Sequence, residues 1–336
     1  MYKISALYIA MVLWGYQITA FLLSWLVGDN TAVVTTPFRI FMLLWSMFLF
    51  VRSIGYGKQQ DPALYQVNKR FSKAFIFFCV IYFIKVIWGV LLEPEKAGEF
   101  RGVVVNYMFF ISIPYCCAFL CIRRFLDLDL VVKYSWRLAM IGILTFTCTN
   151  YSEVLGSFGR FSIGDGVQLL NPISLGQFGV TFVVLSYFYL NGKSKWLQLA
   201  CYALGCLYVM KAGSRGPCVA LIAVLFFIMW QRFRGKRWIP LMLLGAIGVF
   251  FTVIMEVVNA INPTIAMRFV KTVEDGDAAR WDLVQEGFAE FCQHPLFGGY
   301  FMVPYRWYSH NVILDAFMGL GIIGGIYFLI LTFFVM

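Results

Sequence analysis

The stretch SHNVILDAFMGLGIIGGIYFLILTFFVM, residues 309–336, decides the class of fold. From Val312 to Val335 its only charged residue is Asp315, and an apolar run of that length is long enough to cross a bilayer as a helix. Ser309-His310-Asn311 stands at the mouth of this span, so His310 lies at a membrane–water boundary. A polar segment precedes it, carrying Arg280-Trp281 and His294-Pro295-Leu296-Phe297-Gly298. Arginines and an imidazole at such a boundary point to catalysis or anion binding.

The rest of the chain agrees with a membrane protein. Of its 336 residues 61% are hydrophobic and 13% charged, against about 25% charged in a soluble domain. The first apolar segment, Ile4 to Val27, is too long for a signal-peptide core, and Gly28-Asp29-Asn30 after it is an ordinary turn. It reads as a retained first span. Apolar runs bounded by polar turns predict about ten spans near 4–27, 33–51, 74–92, 103–122, 131–149, 167–190, 196–212, 217–231, 238–258 and 311–335. The expected fold is therefore all-α: one polytopic membrane domain over 1–336, with a large loop at 259–309 before the last span that holds a short amphipathic helix.

Nine cysteines lie mostly inside apolar segments, without CxxC spacing, and read as small core hydrophobes rather than a disulfide or metal framework. The net charge of +10 excludes nothing by itself. Its placement favours the cytoplasmic-loop excess of Lys and Arg over nucleic-acid binding. Arg52, Lys58, Lys69, Arg70 and Lys73 follow span two, and Arg123, Arg124 and Lys133 follow span four. Lys193 and Lys195 follow span six; Arg232, Arg234, Lys236 and Arg237 follow span eight. The alternate loops are poorer in cations, which puts both ends inside and Arg160, Arg215, Arg280 and His310 outside. Cations on the translocated face run against this bias, so a local role is expected for them.

Three segments carry that role. Gly213-Ser214-Arg215-Gly216-Pro217 joins two spans with almost no loop. With Pro217 read as the first helical residue, Arg215 is held beside a helix N-terminus, a good anion cradle unless it merely reaches lipid phosphate. Arg160 lies in the glycine-rich Gly156-Ser157-Phe158-Gly159-Arg160-Phe161. Asp277 reads as the N-cap of a helix with Arg280 in its first turn, followed by Trp281, Val284, Phe288 and Phe291 at helical spacing. That stripe fits either a helix on the membrane surface or core packing. His310 has the near-neutral titration that suits proton transfer. Asn311 and Asp315, four apart, could orient its ring or a substrate hydroxyl. Gly321 and Gly325 form a small-xxx-small pair of the kind that packs helices closely.

Two features point elsewhere. Lys85 lies within the third span, where a charge is costly and functional by default. Glu274-Asp275-Gly276-Asp277 contains acids able to bind a divalent metal, although Asp and Gly also favour plain turns. No nucleotide-binding glycine loop and no Cys/His metal cluster appear, so neither cofactor nor metal is expected.

Gly-Ser-Arg-Gly at 213–216, Arg280-Trp281, His294-Pro295-Leu296-Phe297-Gly298-Gly299 and His310-Asn311 with its glycine-rich helix together resemble the O-antigen ligase and Wzy-type O-antigen polymerase superfamily. The ordered set covers 211–336; the first half is similar in hydropathy only. The resemblance implies a bacterial inner-membrane glycosyltransferase that takes undecaprenyl-pyrophosphate-linked glycans on the periplasmic face, without nucleotide sugars. It gives Arg215 and Arg280, with Arg160 by loop position alone, the donor pyrophosphate. It gives His310 the activation of the acceptor; beside these, Ser214, Asn311 and Asp315 are read from the sequence itself as supporting residues. Expected partners are the lipid-linked glycan, an acceptor glycan, membrane lipid and a chain-length regulator, with no nucleic acid. The family commonly continues with further spans, whereas this sequence stops at Met336, which fits a short member or a truncated product. A polymerase joining repeat units is the leading expectation. The alternatives are a ligase that transfers the glycan to lipid A core, a secondary transporter for a sugar or anion, and a metal-dependent transferase using Asp275 and Asp277.

Overall fold

The computed structural model describes residues 1–27, 31–55, 62–122, 125–149, 172–249, 253, 256, 260, 278–304, 309 and 311–333. Among these residues the chain is helical, with no strand. The helices are α1 (Tyr2–Val27), α2 (Thr31–Gly55), α3 (Pro62–Leu92), α4 (Pro94–Ala97), α5 (Arg101–Tyr107), α6 (Ile113–Ile122), α7 (Leu128–Thr149), α8 (Pro172–Leu190), α9 (Lys195–Ala212), α10 (Arg215–Arg232), α11 (Trp238–Val249), α12 (Ala278–Gln293) and α13 (Val312–Phe333).

The all-α expectation is borne out among the described residues; the count of ten spans is not confirmed. Among the described residues six helical stretches are long and apolar enough to cross a membrane: Ser72–Leu92, Arg101–Ile122, Leu128–Thr149, Ile173–Leu190, Arg215–Arg232 and Val312–Phe333. Large apolar side chains such as Ile84, Leu91, Val219 and Phe227 are exposed on them. Apolar helix faces with no protein cover are what lipid-facing spans require. The second of these spans is not uniform. Pro114 has no N–H to return to the carbonyl one turn back, and a wide π turn over Met108–Ser112 absorbs the mismatch between α5 and α6.

The helices fall into two compact units, one of 1–45 with 125–274 and the other of 46–124 with 275–336. The core of the first unit lies between α1, α7, α8 and α9, around Ile143, Phe146, Phe178, Phe182 and Tyr208. Gly179 and Gly205 let α8 and α9 approach: a Cβ on either would fall 2.7–2.8 Å from the other's carbonyl oxygen. Polar bonds add to this packing, Tyr208 donating to the Ile143 carbonyl (3.0 Å) and Trp136 to the Ser186 hydroxyl (3.0 Å).

The second unit is organised by α3 and α13 running antiparallel. Tyr327 donates its hydroxyl to the Ala74 carbonyl (3.1 Å), and Phe78 packs against Tyr327 and Phe328. Near the other end of α3, Val86 and Val90 pack with Met108, Tyr300, Phe301 and Met302. The thiols of Cys79 and Cys116 approach to 4.0 Å, both free.

Candidate functional site

In the first unit α9 ends on Gly213, whose φ of 57° makes the left-handed stop that glycine takes without strain. One residue later α10 begins at Arg215, with Ser214 as N-cap residue. The helix thus starts two residues earlier than the proline suggested. Pro217 occupies its third position, where no backbone N–H is needed, and its ring packs on Gly176, where a Cβ would be 2.7 Å away. Arg215 is half-buried and projects from the first turn of α10. Ser214 is buried and its side chain does not cap the helix. Lys211 sits in the last turn of α9 and is only 4% exposed. A cation there complements the negative end of the α9 dipole.

In the second unit the turn that carries His310 is pinned from both sides. The Ser309 N–H donates to an Asp315 carboxylate oxygen (3.0 Å), and the Ser309 hydroxyl accepts from the Asn311 N–H (3.2 Å). Asn311 caps α13, its side-chain oxygen accepting from the N–H groups of Ile313 (3.1 Å) and Leu314 (3.2 Å). Asn311 and Asp315 are therefore engaged with backbone, where they fix Ser309 and the start of α13. Asn311→Ala is expected to cost about 1 kcal/mol of stability through the lost cap. A thermal melt of the solubilised protein measures this, with a larger relative loss in activity if the turn positions the imidazole.

Ser309 also packs on α12, 3.5 Å from where a Cβ of Gly287 would lie. Arg280 occupies the first turn of α12, as expected. The burial of this helix differs from its sequence pattern: Trp281 and Phe288 are 63% and 56% exposed, while Gly287 and Glu290 are buried. Trp281 and Phe288 therefore face outward, as a membrane-surface helix requires, while Val284 and Phe291 are half-buried and Phe291 packs edge-to-face on Phe317 of α13. Glu290 accepts the Tyr300 N–H (2.8 Å), so the buried carboxylate has a backbone partner.

The segment after α12 does not stay in the loop. Gly299 donates its N–H to the Met318 carbonyl (2.8 Å), and Ile322 donates to the Pro295 carbonyl (2.8 Å). The His294–Gly299 segment thus docks on α13, which is broken at Gly321 (φ 67°, ψ −170°). A Cβ on Gly321 would collide with Leu296 backbone, and one on Gly298 with Gly319 backbone. Gly321 consequently serves loop insertion, not the helix–helix packing expected of it. The break lies nine residues past Val312, roughly 14 Å along the helix at 1.5 Å per residue. Irregular backbone at that depth needs internal partners. Lys85 supplies one: its ammonium donates to the carbonyls of Gly298 (2.8 Å) and Phe297 (3.3 Å). The charge that favoured a transporter has a local, structural explanation.

Two hollows flank this segment. A crevice of about 340 Å³ is lined mainly by apolar groups, including Phe83, Val86, Val104 and Met302, with Asp315 also on its wall. A smaller, polar cavity of about 140 Å³ is lined by Lys85, Trp88, Glu93, Lys96, Glu290 and His294. Tyr300 also lines it, its phenol donating to the Glu93 carbonyl (3.3 Å). Burial first, then the Glu93 charge, push this phenol up to about 12, so it stays a neutral donor.

Of the expected site residues, Arg160 and His310 lie outside the described residues, as does the side chain of Arg280; so do Asp275 and Asp277. Asn311 and Asp315 come together in one turn, and Ser214 and Arg215 in another. Among the described residues no group of three or more His, Cys, Asp or Glu is arranged to hold a metal. The residues missed in the sequence are Glu290, Trp88 and Tyr300. Glu290 offered a faint signal as an acid in register with Gly287; the other two offered none.

Apolar spans, a surface helix and a buttressed polar turn at the mouth of the last span describe a multi-pass membrane protein whose polar chemistry gathers in its C-terminal part. Residues 200–329 match a family model described as O-Antigen ligase. That stretch is similar to the O-antigen ligase and polymerase family, whose members are membrane glycan-processing enzymes. No curated protein and no solved structure matches the chain significantly.

Proposed function

We propose that this protein polymerises undecaprenyl-pyrophosphate-linked oligosaccharide repeat units at the periplasmic face of the bacterial inner membrane. The single observation that supports this most is the turn Ser309–Asn311, pinned by Asp315 at the start of an apolar span and inside the stretch that matches the family. The distribution of loop cations puts that turn, Arg215 and Arg280 on the outer face.

The acceptor hydroxyl oxygen attacks the anomeric carbon of the donor sugar. A glycosidic bond forms as the bond to the diphosphate oxygen breaks, and the electron pair leaves with undecaprenyl pyrophosphate. Arg215 and Arg280, with Arg160, meet the charge that develops on the diphosphate. His310 takes the proton of the acceptor hydroxyl. The apolar crevice between α3 and the Arg101–Ile122 span suits the first isoprene units of the lipid, which enter from the bilayer. No metal and no cofactor takes part in this scheme.

The printed description of the matching family favours a second reading, a ligase that hands the finished glycan to lipid A core. Both share the donor and differ in the acceptor. Deleting the gene separates them on glycan gels: a polymerase deletion leaves single repeats on the core, whereas a ligase deletion leaves the core bare. An unchanged ladder would remove both. The polymerase would work beside a chain-length regulator.

A further inference from the structure

We propose that the polar cavity at the end of α3 is a subsite for one sugar of the acceptor glycan, next to the sugar that reacts. This rests on the glycan-polymerase reading and deepens it.

The lining is mixed in sign and already balanced. The Lys85 ammonium is turned to the carbonyls of Phe297 and Gly298, and Lys96 is paired with Glu93. Two ammonium groups against two carboxylates, Glu93 and Glu290, leave no surplus charge to hold a phosphate or a metal cation. What remains suits a neutral, polyhydroxylated ligand. Glu290 has one oxygen on the Tyr300 N–H, and its carboxylate lines the cavity, where the second oxygen is an acceptor for hydroxyls. His294 adds an imidazole able to donate or accept. Trp88, 62% exposed, supplies an apolar ring face of the kind on which the C–H face of a pyranose stacks.

The position fits the same purpose. Ser309 packs on Gly287, and the cavity is walled by Glu290, three residues further along α12. Residues at that spacing stand about 5–6 Å apart on one helix face, the span of a single sugar in a chain. The Ser309–Asn311 turn and the cavity thus lie beside the same stretch of α12. The Lys85-supported insertion of His294–Gly299 builds the floor of this subsite, which accounts for irregular backbone being carried so deep.

The experiment uses the full-length protein in proteoliposomes. The donor is the undecaprenyl-pyrophosphate-linked repeat unit extracted from a strain deleted for this gene; the acceptor is the repeat-unit oligosaccharide released from that lipid by mild acid. Trp88→Ala is expected to raise the acceptor KM about tenfold with little change in kcat, the effect of losing one stacking face. Trp88→Phe should restore most of the affinity. Lys96→Gln, which removes a charge from the rim, should raise the same KM severalfold, and it decides the matter if Trp88→Ala is lost from the membrane. A wild type that elongates, with variants that keep its acceptor KM, overturns the subsite and leaves the polymerase reading intact. A wild type that does not elongate overturns the polymerase reading itself.

Discussion

Arg280→Ala is expected to abolish glycan elongation, lowering the rate by about two to three orders of magnitude, while the protein inserts and accumulates as wild type. The size follows from the role. A guanidinium aimed at charge that develops only as the sugar–diphosphate bond breaks acts in a water-poor site, and removing one such donor costs about 10²–10³ in rate. The insertion should be unaffected because Arg280 sits in the first turn of α12, whose buried face is carried by Gly287 and Glu290 further along. Arg280→Lys should recover only part of the rate, since an ammonium lacks the planar fork that meets two phosphate oxygens at once. Glycan ladders and immunoblots of the same cells read both quantities; a full ladder from Arg280→Ala removes this residue from the reaction.

Gly321→Val should have the largest effect on the fold. The residue holds φ at 67°, a conformation that costs about 1–3 kcal/mol for a side chain other than glycine's. Its Cβ would also strike the Leu296 backbone, which cannot swing aside as a side chain could. The break in α13, the docking of His294–Gly299 and the Lys85 bonds depend on one another, so the loss should exceed about 3 kcal/mol. Gly298→Ala should act in the same direction, because its Cβ meets Gly319 backbone. Loss of protein from the membrane or a sharply lower melting temperature in detergent is the expected result. A normal melt for Gly321→Val would show that the inserted segment is not a structural element.

These two cases mark how far the amino-acid sequence could be read. The apolar span after Asn311 and the arginine in the first turn of α12 follow from periodicity and capping, which act within a few residues. The inserted segment did not, because its cause is spread along the chain: Lys85, Gly298 and Gly321 are far apart in sequence and meet only through backbone carbonyls. A lysine in a span and a GxxxG-like pair therefore suggested function and helix packing, where the fold uses both to accept a loop. Trp281 and Phe288 show the same limit on one helix. Their spacing defines a stripe, but only burial tells whether the stripe faces protein or lipid. The stripe is in fact divided: Trp281 and Phe288 are exposed, whereas Phe291 packs on Phe317 and Glu290 is buried.

The account depends most on Arg215, Arg280 and His310 facing one compartment around a single diphosphate. Single cysteines can be placed by Arg215→Cys, Arg280→Cys and His310→Cys in a variant cleared of the nine native cysteines, then treated with a membrane-impermeant maleimide in spheroplasts. Labelling of all three positions before permeabilisation is the expected result. Labelling of any one of them only after the membrane is opened would contradict a shared outer-face site.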